Sequence, residues 1–204
     1  MSETRTQPRR AMQGTPLRVV QRTPQRVVLL EARRGAAPES LSHAVAAWSG
    51  HEGWDPAGLA PRETQSRAGW ILAWDGPGRW LLVSTMPASV LPPVPAPESL
   101  AIAVDMTDAW VVFEVTGACA VDHLRRGIDL DLLPASDGTC GRIQRSRLAE
   151  VPVWILNLAQ RDTPAQEHES RYWVFVARSY APWLGQWLEP ASTDTPALHE
   201  GAIS

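Results

Sequence analysis

The stretch Trp74 to Val83, WDGPGRWLLV, sets two glycines one residue apart between two apolar runs. Glycines so spaced bind phosphate when they open a helix, because amides at a helix N-terminus converge on the anion. Here Gly76-x-Gly78 is followed by Leu81 where a third glycine belongs, and the next residues, RWLLVS, read as a strand. The Gly-Lys-Ser/Thr of a phosphate loop is missing as well. The residues predict a turn.

Other reactive types are scattered. His43, His51, His123, His168 and His199 fall at no helical ligand spacing, and no C-x-x-C occurs. His43 and His123 are expected on helices, at or near the surface. No G-x-S-x-G elbow is present. Cys119 lies near the start of an expected helix, whose dipole favours a thiolate. Only His123, one turn on, stands near it, and a small buried thiol is the expectation. Cys140, in DGTCGR, is expected to be exposed. Asp129 and Asp131 share a side if extended, as an acid–base pair would need, but helix exit and loop caps account for them too. Arg142, Arg145 and Arg147 crowd RIQRSRL, and the last two share a strand face. They suit a carboxylate or an acidic partner surface, and equally a solvated face. No catalytic, cofactor-binding or metal-binding residue is predicted in this chain.

The elements that would position these residues are legible in part. Residues 17–31 read as extended, interrupted by Pro24. Leu41, Ala44, Val45 and Trp48 mark one face of a helix that Gly50 ends. Residues 50–66 read as a loop, and AGWILAW with RWLLVS as a hairpin around the Asp75–Gly78 turn. Five prolines in 87–100 suggest a join between two halves. AIAVDMT is a short strand. From Ala109 the order is β-α-β-β-β-α, with Thr116 and Ser179 as expected N-caps, Gly127 as a helix stop, and Trp183, Leu184, Trp187 and Leu188 as one stripe. That order suits an α+β sandwich with helices on one face of an antiparallel sheet. The expected divisions are a disordered tail 1–16, a first α+β half 17–100, a second ferredoxin-like half 101–190 and a flexible tail 191–204. VPVWILNLA and RYWVFVA are apolar on both parities, so both faces need cover. Helices cover one; the first half of the chain or a partner protein must cover the other.

Composition excludes further classes. The chain has 204 residues and net charge −3, so no basic field recruits nucleic acid. All 19 cationic side chains are arginine, which removes Schiff-base and phosphate-loop lysines and fits a GC-rich bacterial coding bias. Two cysteines form no disulfide framework and point to a reducing compartment. No apolar run approaches a membrane span, and MSETRTQPRRAMQG lacks the apolar core of a secretory signal. A cytoplasmic protein is expected. Ten tryptophans against two phenylalanines and two tyrosines suit an interface or a thickened core.

Four segments together resemble one family. They are W-x-G-P-x-x-W-L-L-V at 74–83, VDMTDAWVVFEVTGACAVDHLRRGIDLDLLP at 104–134, RSRLAEVPVWIL at 145–156 and YWVFVARSYAPWLGQWL at 172–188. The order is similar to that of the gamma subunit of heterotetrameric sarcosine oxidase, over about Trp70 to Leu188. The resemblance implies two ferredoxin-like α/β-sandwich units, like the folate-binding part of glycine-cleavage aminomethyltransferase, without its C-terminal β-barrel. It also implies partners: an alpha subunit carrying NAD and tetrahydrofolate sites, a beta subunit carrying FAD and sharing a covalent FMN, and a zinc-binding delta subunit. The gamma chain holds no cofactor in that assembly, which turns sarcosine into glycine with one-carbon transfer and hydrogen peroxide. This chain departs from the family pattern at Gly78 and in ASDGTCG.

Three functions follow as expectations. The first is a non-catalytic gamma subunit stabilising a sarcosine oxidase, poorly soluble when made alone. The second is the same role in a related oxidase or demethylase of another N-methyl amine. The third is a stand-alone folate-binding one-carbon-transfer protein, for which Asp105 and Arg142 are the candidates to hold pterin and glutamate tail.

Overall fold

The computed structural model describes residues 16–22, 26–35, 37–84, 86, 101–128, 130–132, 141–158 and 170–189. The expected tails (Pro16 apart), the join at 87–100, Asp129, Cys140, His168 and His199 lie outside the described residues.

Among the described residues, ten strands and three α-helices follow in order: β1 Arg18–Arg22, β2 Arg26–Ala32, α1 Pro38–Ser49, β3 Thr64–Arg67, β4 Trp70–Gly76, β5 Arg79–Ser84, β6 Ala101–Asp105, β7 Trp110–Thr116, α2 Ala120–Arg125, β8 Arg142–Leu148, β9 Val151–Asn157, β10 Arg171–Ala177 and α3 Ala181–Leu188. They build two five-stranded sheets, β3-β4-β5-β2-β6 and β1-β7-β10-β9-β8. Every neighbouring pair is antiparallel. The class is α+β, in two ferredoxin-like sandwich units.

The cover of the apolar strands comes from within the chain. On one face of the second sheet, Val153, Ile155, Val174 and Val176 pack with Leu124 of α2 and with Leu184 and Leu188 of α3. On the other, Trp154, Leu156, Trp173 and Phe175 pack with Ile71, Ala73, Leu81 and Val83 of the first sheet. The outer face of the first sheet, through Val28, Leu30, Trp70, Leu72 and Leu82, takes Leu41, Val45 and Trp48 of α1. The result is four layers, helix–sheet–sheet–helix. Of the two covers that the sequence left open for that face, the first half of the chain supplies it. Tryptophan supplies much of the filling, with Trp48, Trp54, Trp70, Trp80, Trp154 and Trp173 all buried.

Each expected half lends a strand to the other's sheet. β1 pairs with β7, Val20 opposite Glu114, whereas β6 pairs with β2, Ala103 opposite Leu30. Pro24 thus falls between two strands that part company.

The hairpin forms as the sequence predicts, Trp70 opposite Ser84, with Pro77 and Gly78 at the turn. Gly78 takes φ 69°, a left-handed conformation that glycine adopts without strain. The ladder slips between Trp74 and Gly76, so Asp75 is the extra residue of a bulge. The loop expected at 50–66 ends three residues sooner, because Thr64–Arg67 is a polar edge strand. Its earlier part is fastened by indole donors, Trp54 Nε1 to Ser49 Oγ and Trp80 Nε1 to the Pro56 carbonyl, each 2.9 Å.

Two helix-end expectations are corrected. Thr116 does not cap α2, since it still pairs with Arg18 and Arg171 as the last residue of β7. Ser179 lies inside a 3-10 turn, Arg178–Tyr180, and α3 starts beyond it with a proline in its first turn and no side-chain cap. The buried stripe of α3 is Ala181, Leu184 and Leu188, with Trp187 partly buried and Trp183 48% exposed.

Gly127 answers to packing. A Cβ there would lie 2.7 Å from Trp187 Cζ2 and 3.1 Å from the Ala149 amide nitrogen. Gly127→Ala is expected to cost about 1–3 kcal/mol in denaturant unfolding. Adding Trp187→Leu, which vacates that contact, is expected to make the double variant less unstable than the two single losses combined.

Candidate functional site: a cleft beside a clasped carboxylate

The bulge at Asp75 turns a carboxylate out of β4 toward the second sheet. Its side chain is fully buried. Arg145 of β8 grips it as a fork: Nε donates to Oδ1 at 2.6 Å, and Nη2 donates to Oδ2. Arg79, at the start of β5, approaches Oδ2 at 3.5 Å. Such a planar two-point grip is specific to arginine. The Arg145 guanidinium also lies over Trp154, 5.0 Å from the ring centroid, and Trp154 stacks on Trp110 at 4.3 Å.

A backbone bond joins the two sheets beside this pair, the Ile143 amide donating to the Arg62 carbonyl at 2.9 Å, while within the first sheet the Trp74 amide donates to the Glu63 carbonyl at 2.9 Å. Thr64 Oγ1 donates to the Gly141 carbonyl at 2.8 Å, and the Glu63 and Arg142 backbones pair as an isolated antiparallel bridge. Arg62 takes a left-handed φ of 70°. A cleft of about 190 Å³ opens here, lined by Arg62, Trp74, Asp75, Ile143, Gln144 and Arg145.

A second carboxylate, Glu114 on β7, binds the sheet within itself. Arg22 of β1 donates to both its oxygens, at 2.7 and 3.0 Å, while Arg171 and the Trp173 indole of β10 each donate to Oε2 at 2.9 Å. Burial pushes this carboxyl up, but the hydrogen bonds from Arg22, Arg171 and Trp173 outweigh it and hold the pKa at about 2.

The remaining candidates do not converge. His123, expected near the surface, is buried, its Nε2 3.0 Å from the Leu188 carbonyl. Burial lowers its pKa, opposed by the Leu188 bond and assisted by Arg126. His43 is exposed. Cys119, expected buried, is exposed, because the turn into α2 carries it off the core. Asp131 pairs with Arg125 at 3.2 Å. Arg147 bends back onto the Glu150 carbonyl. Asp105 accepts from the Thr107 amide and hydroxyl at 3.0 and 2.6 Å, and neither it nor Arg142 lines the cleft. Among the described residues no group of three His, Cys, Asp or Glu could hold a metal ion, and no helix is long and apolar enough to cross a membrane.

The sequence reading passed over Asp75, Arg62 and Glu114. Glu114 had a signal, as the single acid inside the apolar run WVVFEV. Asp75 looked like an ordinary turn residue, and Arg62 had none.

No protein-family model matches the chain, and no curated protein matches it in sequence. A solved structure does. The heterotetrameric sarcosine oxidase from Corynebacterium sp. U-96, in complex with pyrrole 2-carboxylate, contains a chain similar over 86% of this one and 81% of its own length, with a TM-score of 0.56 and 22% identity. The fold is that of a chain of a heterotetrameric sarcosine oxidase. The resemblance carried by the four segments thus meets a solved member of the same kind of assembly.

Two measurements test the carboxylates. Asp75→Ala leaves Arg145 and Arg79 without their acceptor and is expected to cost about 2 kcal/mol, with most of the loss coupled to Arg145 in a double-mutant cycle. Glu114 is ionised more readily folded than unfolded, since its pKa falls from 4.5 to about 2. Its contribution is complete above about pH 5 and is lost as pH falls through 4.5 toward 2. Glu114→Gln is expected to remove up to about 3 kcal/mol at neutral pH and to flatten that acid limb of the melting-temperature curve.

Proposed function

We propose that the chain is a non-catalytic, gamma-like subunit of a flavin-dependent sarcosine oxidase, cytoplasmic, stabilising an assembly with alpha, beta and delta partners. The observation that carries this reading is the likeness to a chain of a heterotetrameric sarcosine oxidase at nearly equal coverage of both, so that the two chains are of similar length. In this reading FAD, FMN, NAD, zinc and tetrahydrofolate are held by the partner subunits, and the reacting amine is sarcosine or a related N-methyl amine. The surface agrees with a docking role. Tyr180 and Trp183, at the start of α3, are each 48% exposed, and exposed aromatics of this kind anchor subunit contacts.

A stand-alone folate-binding role finds less support. Its two nominated residues are apart from the cleft, and the Asp105 carboxylate is taken up by Thr107.

Co-expression with whatever genes neighbour its own, followed by affinity purification on this chain, tests the proposal. The expected product is a yellow complex of several chains with a flavin absorption spectrum. Recovery of this chain alone and colourless, with tight folate binding in titration, would overturn it. Trp183→Ser is expected to leave stability within about 0.5 kcal/mol and to weaken co-purification tenfold or more.

A further inference from the structure

We propose that the cleft between β4 and β8 binds a small planar carboxylate, its anionic head held by Arg62 and Arg145 and its flat body laid against Trp74. Three features carry this. The first is charge. Arg62, Arg79 and Arg145 surround one carboxylate, Asp75, so cation is in excess. The nearby acids are engaged elsewhere: Glu63 accepts from the Ala60 amide at 3.1 Å, and Asp131 pairs with Arg125.

The second is unused donor capacity. A guanidinium has five N–H donors. Arg145 commits two of them to Asp75 and is 47% exposed, and the Arg62 side chain has no hydrogen bond or ion pair among the described residues. Two arginines therefore line one cleft with room for an acceptor. The Arg145 head is set in advance by its fork on Asp75, and the Arg62 main chain by the bond its carbonyl accepts from Ile143.

The third is size and shape. About 190 Å³ holds roughly six waters, or an acid of about ten non-hydrogen atoms. The walls combine an indole, Trp74, with the aliphatic Ile143 and the amide of Gln144, which suits a flat body better than a branched one. The inference concerns this chain's own surface and stands apart from the subunit reading.

Benzoate is the probe, with benzamide as its uncharged isostere. The full-length chain is titrated while the Trp74 indole and Gln144 side-chain amide signals are followed by NMR. Saturable benzoate binding with a dissociation constant of about 1–5 mM is expected, at least tenfold weaker for benzamide. Arg62→Gln is expected to weaken benzoate at least fivefold without changing the melting temperature, and Arg62→Lys to restore part of the loss. The proposal is overturned by failure to saturate at about 50 mM, far above the expected constant. Equal binding of benzamide, or unchanged binding by Arg62→Gln, overturns it as well. Loss of benzoate binding once the chain is assembled with partner subunits also overturns it, and assigns the two arginines to an acidic side chain of a partner.

Discussion

A sheet without a polar face must be covered twice, and the rest of the structure follows from that constraint. β4, β5, β9 and β10 carry apolar side chains on both parities. The chain satisfies all four strands by pressing its two sheets together and placing helices outside. The shared layer, built from Trp154, Trp173, Phe175, Ile71, Leu81 and Val83, belongs to neither half alone. Removing one half would expose the inner face of the other to water, a loss on the order of 2 kcal/mol for each large side chain uncovered.

Ionic groups sit in and beside this layer and do a different job from it. Apolar packing has little directional preference and leaves strand register loosely set. The Glu114 carboxylate has three donors on the two strands beside it, so β1 and β10 cannot slide past β7 without stranding a charge. Asp75 does the equivalent between sheets through Arg145. In a chain whose cations are all arginine, both grips use the forked geometry that a lysine could not reproduce.

Local pattern in the sequence predicted the elements whose causes are local. The hairpin at 70–84 was readable from two apolar runs around Pro-Gly, and the order β7-α2-β8-β9-β10-α3 from period and turn residues. What failed depended on distant contacts. Thr116 looked like a cap but is paired on both sides. Cys119 and His123 exchanged their expected environments, because the start of α2 turns outward while its next turn meets the end of α3. The polar TQSR became β3 through its pairing with β4. The site was least legible of all. Arg62, Asp75 and Arg145 come from a loop, a bulge and a strand, and only the docking of two sheets brings them to one cleft.

The crossing of β1 into the far sheet has a consequence for how the molecule is made. Arg22 and the Glu114 that holds it are separated by 92 positions in the chain. On a ribosome, this strand must stay unpaired while nearly half of the polypeptide is translated, its hydrogen-bonding edge open to unrelated nascent chains. Closure of the second sheet is thus a late event, and a chaperone that shields an early strand would act on the segment around Val19 and Val20.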